Sequence, residues 1–143
     1  FQNYTLYKNF NTYENIALGL RLRNFPLTVI DSRVKTAAKF LGIADILDKK
    51  LKSISDAEKQ RAALCRAIVC QPKVMLVDED FARQDENRRK EMISDILKIN
   101  RVMKITVLYV TNNYEEAVSL GKKIVLMKDG KITRIIPSAE RTD

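Results

Sequence analysis

Four consecutive apolar residues, Val74-Met75-Leu76-Val77, run straight into three carboxylates, Asp78-Glu79-Asp80, and helical spacing lies on either side of them. An apolar run this short between two helices is read as an interior strand of a parallel sheet, buried on both faces. Its carboxylates then emerge at the carboxyl end of the strand, where open α/β sheets bind ligands. Burial makes adjacent acids costly to keep charged unless a cation sits with them. The flanking helices are expected from about Ala57 to Cys70 and from about Asp85 to Ile99, the second with Met92, Ile93, Ile96 and Ile99 inward. A second strand, Ile105 to Val110, follows, and a right-handed crossover makes the two strands parallel.

The first fifty residues read as helical. Asn11 and Glu14 have the spacing of a capping box ahead of Ile16, Leu18 and Leu20. Pro26 opens a second helical segment, in which Ile30, Val34, Ala37 and Leu41 recur until Gly42, and a short Ile43 to Leu47 helix follows. Near the other end, Asn113 and Glu116 repeat the capping-box spacing. Lys123 to Met127 and Ile132 to Ile136 then flank Asp129-Gly130 as a hairpin.

Charge and rare residues narrow the chemistry. The net charge of +8 invites a nucleic-acid reading, but the basic residues are scattered among acids, so solvated faces explain them and no specific nucleic-acid partner is expected. The chain has no histidine and only Cys65 and Cys70, which are placed five apart on one helix as packing residues. Histidine catalysis and an ordinary zinc site are excluded, and the cysteine usage suits a reducing cytoplasm. Phe1 stands where an initiating Met would, and the chain is expected to begin partway through a longer architecture.

From Phe1-Gln-Asn-Tyr-Thr-Leu-Tyr through Tyr13-Glu-Asn-Ile-Ala-Leu-Gly-Leu to Met127-Lys-Asp-Gly-Lys-Ile, these segments resemble the ATPase subunits of ABC transporters, in particular those of maltose-type sugar importers. The resemblance implies an α/β fold: part of a P-loop NTPase (RecA-like) core with a helical subdomain. Residues 1–55 would hold the glutamine loop and that subdomain, and residues 56–143 the carboxyl-terminal half of the core. It implies that Asp78 holds magnesium through water and that Glu79 polarises the attacking water. Gln2 would touch metal and water and sense the membrane partner. Ser55 and Asp85 would serve the nucleotide across a dimer of two such subunits. ATP and Mg²⁺ are the implied cofactors, and transmembrane permease subunits docking on the helical subdomain are the implied partners. The implied place is the cytoplasmic face of the membrane.

Departures from the family pattern carry equal weight. Where the family has Leu-Ser-Gly-Gly-Gln, this chain has Ile54-Ser55-Asp56-Ala57-Glu58, with side chains at both glycine positions and acids beside a helix start that should receive phosphate. The family's Val-Thr-His-Asp is Val110-Thr111-Asn112-Asn113, so Asn112 replaces the histidine that bonds the γ-phosphate. Asp80 replaces a proline, and Ala82-Arg83-Gln84-Asp85 keeps only the last residue of Ser-Asn-Leu-Asp. No G-x-x-x-x-G-K-[ST] occurs, because the four glycines, Gly19, Gly42, Gly121 and Gly130, never fall in that pattern.

The central phosphate-loop strand is therefore expected to be missing from between the Ile105 and Lys123 strands. The open edges would be covered by the hairpin sliding in, by disorder, or, as favoured here, by pairing between chains. Hydrolysis of ATP by this chain alone is not expected. Two other readings stand beside this one: a non-catalytic module that docks a membrane subunit or regulator, and a basic nucleic-acid-binding domain.

Overall fold

A computed structural model describes residues 6–78 and 86–137. Two helices come first, α1 (Thr12–Leu22) and α2 (Leu27–Phe40), followed by single 3₁₀ turns at Ala44–Ile46 and Leu51–Ser53. The alternating part then runs α3 (Asp56–Ile68), β1 (Val74–Asp78), α4 (Glu86–Met103), β2 (Thr106–Val110) and α5 (Tyr114–Leu120). It closes on a hairpin of β3 (Lys123–Lys128) and β4 (Lys131–Pro137).

The helix ends follow from local chemistry. Asn11 Oδ1 accepts the Glu14 amide at 2.8 Å and the Glu14 carboxylate returns to the Asn11 amide at 2.8 Å, so the expected capping box forms. Gly42, at φ 69°, ends α2: the amides of Gly42 and Ile43 donate to the carbonyls of Lys39 and Ala38. Asp129 and Gly130 both take positive φ, 51° and 73°, as a two-residue hairpin turn requires. Three expectations are corrected here. The Ile43–Leu47 helix is only one 3₁₀ turn at Ala44–Ile46, α4 runs one turn beyond Ile99, and Cys70 lies past the end of α3.

One continuous core joins the helical and alternating parts. Ile16, Leu20, Ile30 and Val34 from α1 and α2 belong to the same buried cluster as Ala62, Cys65 and Ile68 of α3 and Met92, Ile96 and Ile99 of α4. Two polar contacts reinforce the join: the Cys65 thiol donates to the Ala37 carbonyl at 3.3 Å, and Lys98 Nζ donates to the Phe40 carbonyl at 2.6 Å while lying over the Phe40 ring. Lys98 thus caps the negative end of α2 from the far side of the chain. Burial pushes the Cys65 thiol up to about 12. In the native chain a thiol reagent should therefore label Cys70 within minutes and Cys65 only on unfolding; two equivalents consumed at one rate would contradict this packing.

β1 and β2 pair in parallel, Val74 with Thr106 through Asp78 with Val110, as expected. β1 is not buried on both faces, however. Met75 and Val77 enter the core, whereas Val74, Leu76 and Asp78 stand on an open face, with Leu76 71% and its neighbour Leu108 55% exposed. The cause is one-sided covering, because the core cluster reaches the sheet only through the face that Met75 and Val77 present. The hairpin also has an open apolar face, with Val125 beside Ile135 and Met127 beside Ile132. Among the described residues β1 pairs only with β2 and β3 only with β4, so the hairpin has not slid against β2.

Candidate functional site

The parallel pairing places Asp78 at the carboxyl end of β1, directly beside Val110 and one residue from the Thr111-Asn112-Asn113 corner that follows β2. Asp78 and Asn112 are both exposed, and the pleat sets Asp78 on the same open face as Leu76 and Val110. Two of the expected site residues therefore share one sheet end. Glu79, Asp85 and Gln2 lie outside the described residues.

Ser55 is found elsewhere, at the start of α3, and its groups are already engaged. Its amide and hydroxyl donate to Glu58 Oε2 at 2.6 and 2.7 Å, and its hydroxyl accepts the Glu58 amide at 3.3 Å. These bonds from the Ser55 amide, and then its hydroxyl, hold the Glu58 carboxyl below the usual range. An internal carboxylate thus engages the Ser55 amide and hydroxyl as a reciprocal capping box. The Asp56 carboxyl is also lowered, first by its hydrogen bond from Lys59, and it lies 2.9 Å from Lys59 Nζ and 3.5 Å from Arg88 Nη1 on α4. Sequence reasoning foresaw the acids but not that Glu58 would saturate Ser55.

The corner after β2 holds the other surprise. Asn113 Oδ1 accepts the Glu116 amide at 3.2 Å, but the reciprocal half of the expected capping box is absent: the Asn113 amide donates instead to Thr111 Oγ1 at 3.0 Å. The Glu116 carboxylate turns inward and accepts from the Thr111 hydroxyl at 2.7 Å and from Tyr109 at 3.3 Å. Thr111, two residues before the cap, competes for the Asn113 amide and frees the acid for burial. The pattern Thr-x-x-x-x-Glu was visible in the sequence, but only the fold shows that Oγ1 reaches both groups.

The described residues supply only part of the site that the resemblance implies. Asp78 stands exposed at the sheet end, and among the described residues no group of three His, Cys, Asp or Glu side chains is placed to hold a metal. The sequence supplies no phosphate loop, and the Ser55 hydroxyl is already taken. Among the described residues, no helix is long and apolar enough to cross a membrane.

Comparison with known proteins agrees with the resemblance to ABC transporter ATP-binding subunits and does not single out the sugar type. A family model described as "ABC transporter" matches residues 1–82, more than half of the 143. The oligosaccharides import ATP-binding protein MsmX of Bacillus subtilis is 44% identical over 135 residues, which is 94% of this chain and 37% of that protein. The spermidine/putrescine import ATP-binding protein PotA of Bacteroides fragilis is 40% identical, covering 94% of this chain and 29% of that protein. The molybdate/tungstate import ATP-binding protein WtpC of Thermococcus kodakarensis is 37% identical, covering 97% and 42%. The chain thus spans well under half the length of these relatives. The structure of cbiO1 from Clostridium perfringens, part of the ABC transporter complex cbiONQ, superposes with a TM-score of 0.82 over 94% of this chain and 53% of that one; at 24% identity it speaks to the fold alone. The chain belongs to the ABC transporter family of ATP-binding subunits.

Proposed function

We propose that these residues are the helical subdomain and carboxyl-terminal core of an importer's ATP-binding subunit, with sugars as the transported class and a weakened nucleotide site. The observation that carries this reading is the placement of Asp78 beside Val110, which sets the implied metal carboxylate and the Asn112 corner at one sheet end. In a complete subunit, bound MgATP supplies the phosphate to be transferred, and the chain's own residues position it. We assign Asp78 to the metal and Glu79 to the attacking water, with Gln2 beside both and Asn112 in the place of the histidine. Ser55 and Asp85 face the nucleotide of a second subunit. The sugar class draws on the likeness to an oligosaccharide importer, and relatives that import polyamines and molybdate or tungstate are its competitors.

The helical part, residues 12–50, is the docking surface assigned to a permease; its open groove of about 670 Å³ is lined by Tyr13, Asp31, Lys35, Lys39 and Asp48 among others. The place assigned to the assembly is the cytoplasmic face of the membrane. Among the described residues β2 pairs only with β1, and in the 143-residue chain on its own the other edge is assigned to a strand from another chain. A chimera tests the reading: this chain replaces the matching segment of the Bacillus oligosaccharide-import subunit, and oligosaccharide uptake is measured in cells lacking the native subunit. Slow but permease-dependent uptake is expected. A chimera that folds yet neither associates with the permease nor binds MgATP would sink the proposal.

A further inference from the structure

Asn112 sits between two neighbours, and one side chain and amide hold both of them. The Glu116 carboxylate accepts from the Thr111 hydroxyl on one side at 2.7 Å, and the Glu116 amide donates to Asn113 Oδ1 on the other at 3.2 Å. Thr111 Oγ1 also accepts the Asn113 amide, which closes the ring around the corner. Both described bonds to the carboxylate, from Thr111 and Tyr109, go to Oε2; Oε1 is buried without a hydrogen-bond partner and faces Arg89 Nη1 at 3.7 Å.

That arrangement has an electrostatic requirement. The Glu116 side chain is only 6% exposed, and a buried carboxylate with one bare oxygen needs a nearby cation. At 3.7 Å the contact with Arg89 is an ion pair rather than a hydrogen bond. Arg89 stands in the first turn of α4, the helix that follows residues 79–85. We propose that Glu116 is a positioning residue that clamps the Thr111-Asn112-Asn113 corner, and that Arg89 locks the clamp to the start of α4. The corner is thereby tied to the helix entered directly from the segment that carries Glu79 and Asp85. The clamp stands on the geometry; its catalytic meaning rests on the reading in the preceding subsection.

Removing Arg89 leaves the buried charge uncompensated, so the corner opens to hydrate it, although Arg89 has no described bond to Thr111, Asn112 or Asn113. Amide hydrogen exchange followed by NMR on the 143-residue chain reads this directly. Arg89→Ala should speed exchange of the Asn113 amide on the order of tenfold relative to core amides of α1 and α3, and Arg89→Lys should restore most of the protection. Glu116→Gln keeps the shape and an acceptor for Thr111, so it tests the charge if Glu116→Ala fails to fold. It should loosen the corner no more than Arg89→Ala does. Lys90→Ala, which breaks only the exposed pair with Glu86, should leave the corner unchanged.

Uniform acceleration of all protected amides in Arg89→Ala would overturn the proposal, and so would an Asn113 amide that does not respond. In the chimera carrying Asn112→His, Arg89→Ala should lower kcat about tenfold and leave the KM for MgATP within about twofold. If the exchange effect is present and kcat is unchanged, the clamp stands and the assignment of the corner to the nucleotide site fails.

Discussion

In the chimera, the triple change Asp56→Gly, Ala57→Gly and Asn112→His raises MgATP turnover on the order of 10²-fold or more. Each part of this effect has its own cause. At the start of α3, the Asp56 and Ala57 side chains obstruct close approach of a phosphate, and the Asp56 carboxylate repels it even though Lys59 and Arg88 lie within 2.9 and 3.5 Å. Two glycines remove the obstruction and the charge together. On the proposed assignment, Asn112 would offer a neutral, shorter donor at the sheet end in the place of an imidazole. The gain should fall mainly on kcat, because these contacts matter most as charge moves in the transition state. Glu58 is left in place and still holds Ser55, so full family-level turnover is not expected. A turnover that stays flat after the triple change would show that the damage lies elsewhere.

Asn15→Leu costs the chain about 2–4 kcal/mol of stability. Asn15 is fully buried and binds three backbone groups: Oδ1 accepts the Tyr7 amide at 2.7 Å, and Nδ2 donates to the carbonyls of Tyr7 and Asn11 at 3.2 and 2.9 Å. Leucine fills the volume but satisfies none of them: the Tyr7 amide loses its described acceptor, and the Tyr7 and Asn11 carbonyls keep only the bonds from the Phe10 and Asn15 amides. The midpoint of thermal unfolding should fall by roughly 10 °C, whereas Glu14→Ala, which removes only half of a half-buried cap, should cost about 1 kcal/mol. A loss below about 1 kcal/mol for Asn15→Leu would mean that the segment before α1 is held by something else.

Element types were readable where periodicity and turn chemistry agree. Val74–Val77, the Met92/Ile96/Ile99 stripe and Asp129-Gly130 each admit one local answer, and β1, α4 and the hairpin follow from them. What covers a strand is a different question. Val74 and Leu76 are as apolar as Met75 and Val77, so composition could not show that only one face of β1 meets helices. The two capping-box patterns make the same point. Asn11 and Glu14 close reciprocally, the Asn11 amide donating to the Glu14 carboxylate. Thr111 is such a rival at Asn113, and the released Glu116 becomes the buried acid of the corner. Arg89 gave no signal in the sequence, since nothing local marks which residue of a helix will face a distant carboxylate.

The most direct test of the central claim is a titration of the 143-residue chain with MgATP, followed by NMR at the amides of Asp78, Asn112 and Ser55. With no phosphate loop among these residues and the Ser55 hydroxyl already bonded to Glu58, binding should be no tighter than on the order of 1 mM, with small shifts at Asp78 and Asn112 and none at Ser55. Saturable binding on the order of 10 μM, with all three amides moving together, would contradict the account.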